Sequence, residues 1–168
     1  MKDVRLNLVG NGNEWRNLQK YVTRQEIKNV FFCDKRKWER TLPYYQVSDL
    51  LFASLKEEYD TAIPSKLYEY LATGLPVFYL GKGAAADFLD TFGNTFVSGL
   101  YDASCLERII WKVRRLSPVR SGKNIDNIKR HFIREKLSMR FAEVAARLLN
   151  EKELSDVFVD DFLMRMEQ

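Results

Sequence analysis

TAIPSKLYEYLATGLPVFYL, residues 61–80, places a helix start, one internal acid and a buried strand in a single short run. The spacing predicts a helix over 65–73, a stop at Gly74, and a buried strand in PVFYL (76–80). Such a helix directs free backbone N–H groups, and the positive end of its dipole, at whatever precedes Ser65. Its mouth is therefore suited to an anion. Pro64 fixes the approach of the chain, and Ser65 can cap the helix or donate to an oxygen. Lys66 puts a full positive charge in the first turn, where a cation opposes the dipole unless a bound phosphate offsets it. Glu69 follows Ser65 by four residues and falls one turn further on, on nearly the same side. A carboxylate is a poor partner for phosphate but accepts from both hydroxyls of a ribose, so the combination suits a nucleotide better than a bare phosphate. The plainer alternative is that Ser65 merely caps and that Glu69 is solvated or paired with Lys66.

Upstream, VRLNLV (4–9) reads as a short strand, broken by Gly10 and Gly12 before helical spacing begins in EWRNLQKYVTRQ (14–25). KNVFFC (28–33) reads as a second strand. A basic loop follows, then a short helix opened by Thr41 as N-cap with Pro43 in its first turn, then the strand SDLLFAS (48–54). Downstream of GKGAA, a helix near 84–91 leads to a fifth strand in NTFVSG (94–99). From Asp102 the pattern turns helical, with Leu106, Ile109, Ile110, Val113 and Leu116 at helical spacing. SPVRSGKN (117–124) reads as a loop between helices, and SMRFAEVAARLLNEK (138–152) as an amphipathic helix capped by Ser138. Alternating strands and helices predict an α/β fold: a Rossmann-like parallel sheet with helices on both faces and a helical carboxy-terminal extension. The mouth at Ser65 then lies beyond the carboxyl end of strand 48–54, where open parallel sheets bind ligands.

A chain of 168 residues, 46% apolar and 30% charged, is long enough for one domain with a core. No run approaches the roughly 18 apolar residues of a membrane span, and no signal-type core follows MKDVRLNLVG, so a cytoplasmic location is expected. Cys33 and Cys105 form no metal spacing or disulfide framework, and with a single histidine, His131, no metal is expected. Cys33 reads as a buried structural thiol. The net charge of +4 allows a modest preference for anions, concentrated in KRKWER (35–40) and WKVRR (111–115), while the tail 151–168 is acidic. The total is too small, and recognised motifs are lacking, for a nucleic-acid partner.

PSKLYEYLATGLPVF (64–78) resembles a segment of the carboxy-terminal domain of GT-B glycosyltransferases of the family 4 (group 1) type: proline, serine, lysine, two variable positions, glutamate, a short apolar run, glycine, a variable position, proline, valine. LNLVGNGNEWRNL and NVFFCDKRKWERTLPYYQVSDLLFASL resemble that domain's earlier units, in the family's order, so that residues 4–115 are covered. The resemblance implies a domain at 1–116 that binds a nucleotide-sugar donor, with residues 117–168 as a helical extension packed on it. It implies that Ser65 and Lys66 lie near the diphosphate and Glu69 on the ribose hydroxyls. Lys66 and the helix amides would stabilise the leaving diphosphate without a metal or other cofactor. Lys35 and Lys37 are carried over to the base, mostly through backbone, and Gly10 and Gly12 to the family's first glycine turn.

Departures from the family bear on function. It commonly has a second glutamate eight positions before Glu69, where this chain has Thr61, so Thr61, Ala62 and Ile63 would offer backbone N–H groups to sugar or phosphate. The resemblance finds no counterpart in these residues for the domain's first strand–helix unit or for the amino-terminal acceptor domain, so an excised fragment or a partner chain is expected. The parent reaction is then transfer of a sugar from a nucleoside diphosphate to a glycan or lipid-linked acceptor, with retention at the anomeric carbon. A peripheral contact of helix 108–115 with the inner face of an anionic membrane is a lesser expectation, as is docking of DVFVDDFLMRM (156–166) on another surface. The rival reading is a non-catalytic doubly wound module that binds a nucleotide or a protein.

Overall fold

The computed structural model describes residues 4–99, 103–116 and 120–149. Its elements are β1 (Leu6–Val9), α1 (Trp15–Arg24), β2 (Val30–Cys33), α2 (Trp38–Gln46), β3 (Leu51–Ser54), α3 (Ser65–Thr73), β4 (Val77–Leu80), α4 (Ala84–Asp90), β5 (Thr95–Ser98), α5 (Ala103–Leu116), α6 (Gly122–His131) and α7 (Arg134–Leu149). A 3-10 turn at Glu57–Tyr59 lies between β3 and α3. The fold is α/β, Rossmann-like and parallel in every pairing, as the alternation predicts. Two compact units divide the chain, Met1–Ser48 and Asp49–Gln168, each with its own sheet.

In the first unit β1 pairs with β2, Leu6 opposite Val30 and Val9 opposite Cys33. Trp15, at the start of α1, sets its ring edge-on to Phe32 at 5.1 Å. Helix α2 starts at Trp38 with Lys37 as N-cap, four residues before the expected cap at Thr41. Thr41 lies inside the helix and its Oγ1 donates back to the Lys37 carbonyl at 3.2 Å. Pro43 is interior too, where it removes one i→i−4 hydrogen bond. Its ring is exposed, so no packed neighbour opposes it.

The second unit holds the core. Its sheet runs β3-β4-β5, with Leu51 opposite Val77 and Val77 opposite Thr95. The central strand β4 buries Val77, Phe78 and Tyr79 almost completely, which is why it reads as an unbroken apolar run. Side chains of a strand alternate between faces, and here they divide two clusters. Val77 and Tyr79 pack with Leu67 and Leu71 of α3, Ala85 and Leu89 of α4, and Ile128 of α6. Phe78 packs on the other face against Ile109 and Val113 of α5. Both faces of this sheet are thus covered by helices. Complete burial of side chains such as Leu67 and Leu71 contributes about 1.5–3 kcal/mol each.

Helix α3 ends at Gly74, whose φ of 72° is the left-handed conformation a helix stop needs. A Cβ there would come to 3.0 Å from the Ser121 carbonyl oxygen and the Ile125 side chain. The start of α6 completes this end: the Ser121 N–H donates to the Gly74 carbonyl at 2.7 Å, and Arg120 Nη1 donates to the Thr73 carbonyl at 3.0 Å. Ser121 caps α6, its hydroxyl accepting from the Asn124 N–H at 3.3 Å. Gly122 therefore opens a helix inside the stretch expected as a loop, because the serine before it supplies the cap. Asn124, buried to 1% exposure, clamps Gly93: its Nδ2 donates to the Gly93 carbonyl at 2.6 Å and its Oδ1 accepts the Gly93 N–H at 3.2 Å. Helix α7 begins at Arg134, so Ser138 is an interior residue and not a cap. The tail 151–168, including DVFVDDFLMRM, lies outside the described residues.

Candidate functional site

The connection from β3 to α3 leaves the carboxyl end of a parallel strand, runs through Thr61–Pro64 and enters α3 at Ser65. Pro64 occupies the N-cap position with φ −60° and no side-chain cap bond is formed. Proline cannot cap, so Ser65, in the first helical position, keeps its hydroxyl for another partner. Leu67 donates its N–H to the Pro64 carbonyl at 3.0 Å, whereas the amides of Ser65 and Lys66 make no backbone hydrogen bond among the described residues. These amides and the helix dipole aim at the space before the helix.

Leu67 and Leu71, both fully buried, fix which side of α3 faces the core. At 3.6 residues per turn, Ser65 and Glu69 lie about 40° apart on the opposite side. Ser65 and Lys66 are exposed, and Glu69 is half-buried. Lys66 forms no ion pair among the described residues, so its ammonium is not neutralised by Glu69. Beside Glu69, burial and then the neighbouring carboxylate push the Tyr70 phenol above its usual range. Thr61 is exposed and Ile63 half-buried. Thr61, Ile63, Ser65, Lys66 and Glu69 thus share one connection and the first turns of one helix.

The remaining predicted residues belong to the first unit. Gly10 and Gly12 follow β1, Lys35 and Lys37 follow β2, and the Gly10 N–H donates to the Cys33 carbonyl at 3.0 Å. Parallel pairing therefore brings these two loops out at the same end of the β1–β2 sheet. Both lysines are exposed. Cys33, expected as a buried structural thiol, is half-buried, since its strand belongs to a two-stranded sheet with limited cover. Its thiol bonds the Tyr44 hydroxyl, which raises the Tyr44 phenol above its usual range. His131 is exposed at the end of α6, and Trp111 stands about half exposed on α5.

Sequence reading gave no structural role to Asp60, Lys82 and Gly83, which tie this connection to the β4–α4 junction. The Ala84 N–H donates to the Asp60 carbonyl at 2.7 Å, and Lys82 Nζ lies 3.5 Å from Glu57 Oε1. The available signal was GKG directly after a buried strand. A shallow depression of about 570 Å³ is lined by Ser104, Glu107, Arg108, Trp111, Lys112 and Arg115. All six lie on α5, which covers the other face of the second sheet from α3, so this depression is separate from the α3 mouth. Among the described residues no three His, Cys, Asp or Glu side chains converge to hold a metal ion, and no helix is long and apolar enough to cross a membrane.

A family model described as "Glycosyl transferases group 1" matches residues 1–112. The match takes in both strand-end loops of the first unit, the β3–α3 connection and most of α5. No curated protein matches the chain.

Proposed function

The chain belongs to the group 1 glycosyl transferases, and from that premise we propose that it is the donor-binding part of a GT-B, family 4 type enzyme that transfers a sugar with retention of anomeric configuration. In this reading residues 1–116 are the donor domain and 117–168 its helical extension. The observation that carries it is the mouth of α3. Among the described residues two amides there have no backbone partner and a lysine there has no counter-ion, and an acid lies one turn further on the same side.

Cleavage of the bond between sugar and diphosphate places negative charge on the departing phosphate oxygens. The Lys66 ammonium and the amides of Ser65 and Lys66 stabilise that charge more than they stabilise the ground state, which lowers the barrier. The Ser65 hydroxyl donates to a phosphate oxygen. Glu69 accepts from the ribose hydroxyls, a contact that orients the nucleotide. Backbone N–H groups of Thr61 and Ile63 serve the sugar or its phosphate in place of a second acid. The family resemblance assigns the base to Lys35 and Lys37 and the first glycine turn to Gly10 and Gly12. The acceptor, a glycan or a lipid-linked sugar, and the groups that activate it belong to another domain or a partner chain. This chain alone then binds donor and turns it over slowly or not at all.

Calorimetric titration with the diphosphates of uridine, guanosine and adenosine, and with their sugars, tests the reading. One nucleotide binds one-to-one, and Lys66→Ala weakens it about tenfold, as loss of a charged hydrogen-bond donor does. Failure of every diphosphate to bind at millimolar concentration contradicts the reading.

A further inference from the structure

The turn that delivers the chain to α3 is not free-standing. From Lys56 to Ala62 it winds tightly, with the Tyr59 N–H donating to the Lys56 carbonyl, the Asp60 N–H to Glu57 and the Ala62 N–H to Tyr59, at 3.0–3.1 Å. The Asp60 carbonyl is gripped from the next strand–helix junction by the Ala84 N–H at 2.7 Å. Gly83 makes this approach possible in two ways. It adopts a φ of 73° with ψ −152°, a conformation open to glycine, and a Cβ on it would overlap the Asp60 carbonyl. The exposed pair Lys82–Glu57 ties the same two segments at their rim.

We propose that this contact between Gly83–Ala84 and Asp60 is a positioning latch that sets where the Thr61–Pro64 segment, and hence its amides, stand before the mouth of α3. It rests on the reading of that mouth as a diphosphate site. Asp60 is one residue from Thr61 and five from Ser65, so any displacement of its carbonyl passes directly into the segment that faces the phosphates. Thr61 and Ile63 make no backbone hydrogen bond through their own N–H among the described residues. What they offer a ligand therefore depends on the neighbours that hold them. Gly83, Ala84 and Asp60 act through the backbone and touch no reacting atom, and their role is to orient donor phosphates.

Two substitutions break the latch differently. Ala84→Pro removes the N–H that Asp60 accepts, at the first helical position, where proline is well tolerated. Gly83→Ala inserts the overlapping Cβ. The whole chain and each variant are titrated with uridine, guanosine and adenosine diphosphates, and binding of the corresponding nucleosides is followed by ligand-observed NMR. The expected result is that both variants keep the nucleoside affinity of the parent but weaken the diphosphate about tenfold, the size of a hydrogen-bond loss to a charged group. A parallel fall in nucleoside and diphosphate affinity marks general destabilisation and overturns the latch. So does unchanged diphosphate affinity in a folded Ala84→Pro chain. If Gly83→Ala does not fold, Ala84→Pro decides alone. If Ala84→Pro does not fold either, the contact is a requirement of the fold and the assigned role is overturned. A parent chain that binds no diphosphate defeats the donor reading itself. Hydrogen exchange at Asp60 and Ala62, whose N–H groups are bonded within the turn, then still reads the tether in ligand-free protein: faster exchange in Ala84→Pro upholds it as a hold on the segment, and unchanged exchange overturns it.

Discussion

Gly74 meets two demands at one position: a left-handed φ of 72° and a backbone that lets the Ser121 carbonyl oxygen and the Ile125 side chain approach. Gly74→Ala violates both, and we predict a loss of about 2 kcal/mol, read as a lower urea midpoint. Lys66 is the opposite case. It is exposed and forms no ion pair among the described residues, so Lys66→Ala leaves the melting temperature within about 1 °C while weakening diphosphate binding. Tyr70 gives a pH signature. Its phenol is raised by burial and then by Glu69, so the folded state holds that proton more tightly than the unfolded state. The associated stability is fully present below the unfolded value of about 10 and is lost as pH rises through the higher folded value. Tyr70→Phe should therefore flatten the alkaline fall of urea-derived stability, and an unchanged slope above about pH 10 would refute the assignment. Ser65, Lys66, Glu69 and Gly74 were all legible in the sequence, because helix starts, stops and faces follow local rules. Gly83 and Asp60 were not. Their contact joins residues more than twenty positions apart, and no local spacing encodes it.

Among the elements, α3 runs over the span its spacing predicts because its boundary residues and its core face agree: proline before it, glycine after it, Leu67 and Leu71 on one side. Helices α2 and α7 begin four and five residues earlier than caps at Thr41 and Ser138 suggested. Both residues have hydroxyls that imitate caps, but the residues before them, WER (38–40) and REKL (134–137), include no helix breaker and extend the first turn upstream. Start signals without a strong stop before them are ambiguous at this range. Helix α6 was hidden for a related reason, since Gly122 looks like a breaker until Ser121 is seen to cap it. The same junction locks the carboxyl end of α3, placing the dipole-positive start of α6 against the dipole-negative end of α3. Ser121→Ala removes the cap, and we predict a destabilisation of about 1 kcal/mol, measured by thermal melts, without a change in the residues before α3.

Across the whole molecule, burial is uneven. Val77, Phe78 and Tyr79 of β4 are almost wholly buried, whereas no described residue of the first unit falls in the fully buried class. The protein should thus show its slowest amide exchange in β4, with β1 and β2 exchanging faster, and the reverse order would contradict this distribution of core. The alternation of strands and helices was readable because each strand is a short apolar run between glycine or polar breaks. The division into two sheets was not, since strand order depends on contacts that no single segment specifies. The proposed function rests on one end of one helix in the better-packed unit. The most direct measurement there is a double-mutant cycle in ligand space: binding of a ribonucleoside diphosphate and of its 2′,3′-dideoxy analogue to the parent chain and to Glu69→Gln. The account predicts that the parent prefers the ribose form by about tenfold or more and that Glu69→Gln loses most of this preference. Equal affinity of the parent for both sugars, or a preference that survives in Glu69→Gln, would contradict it.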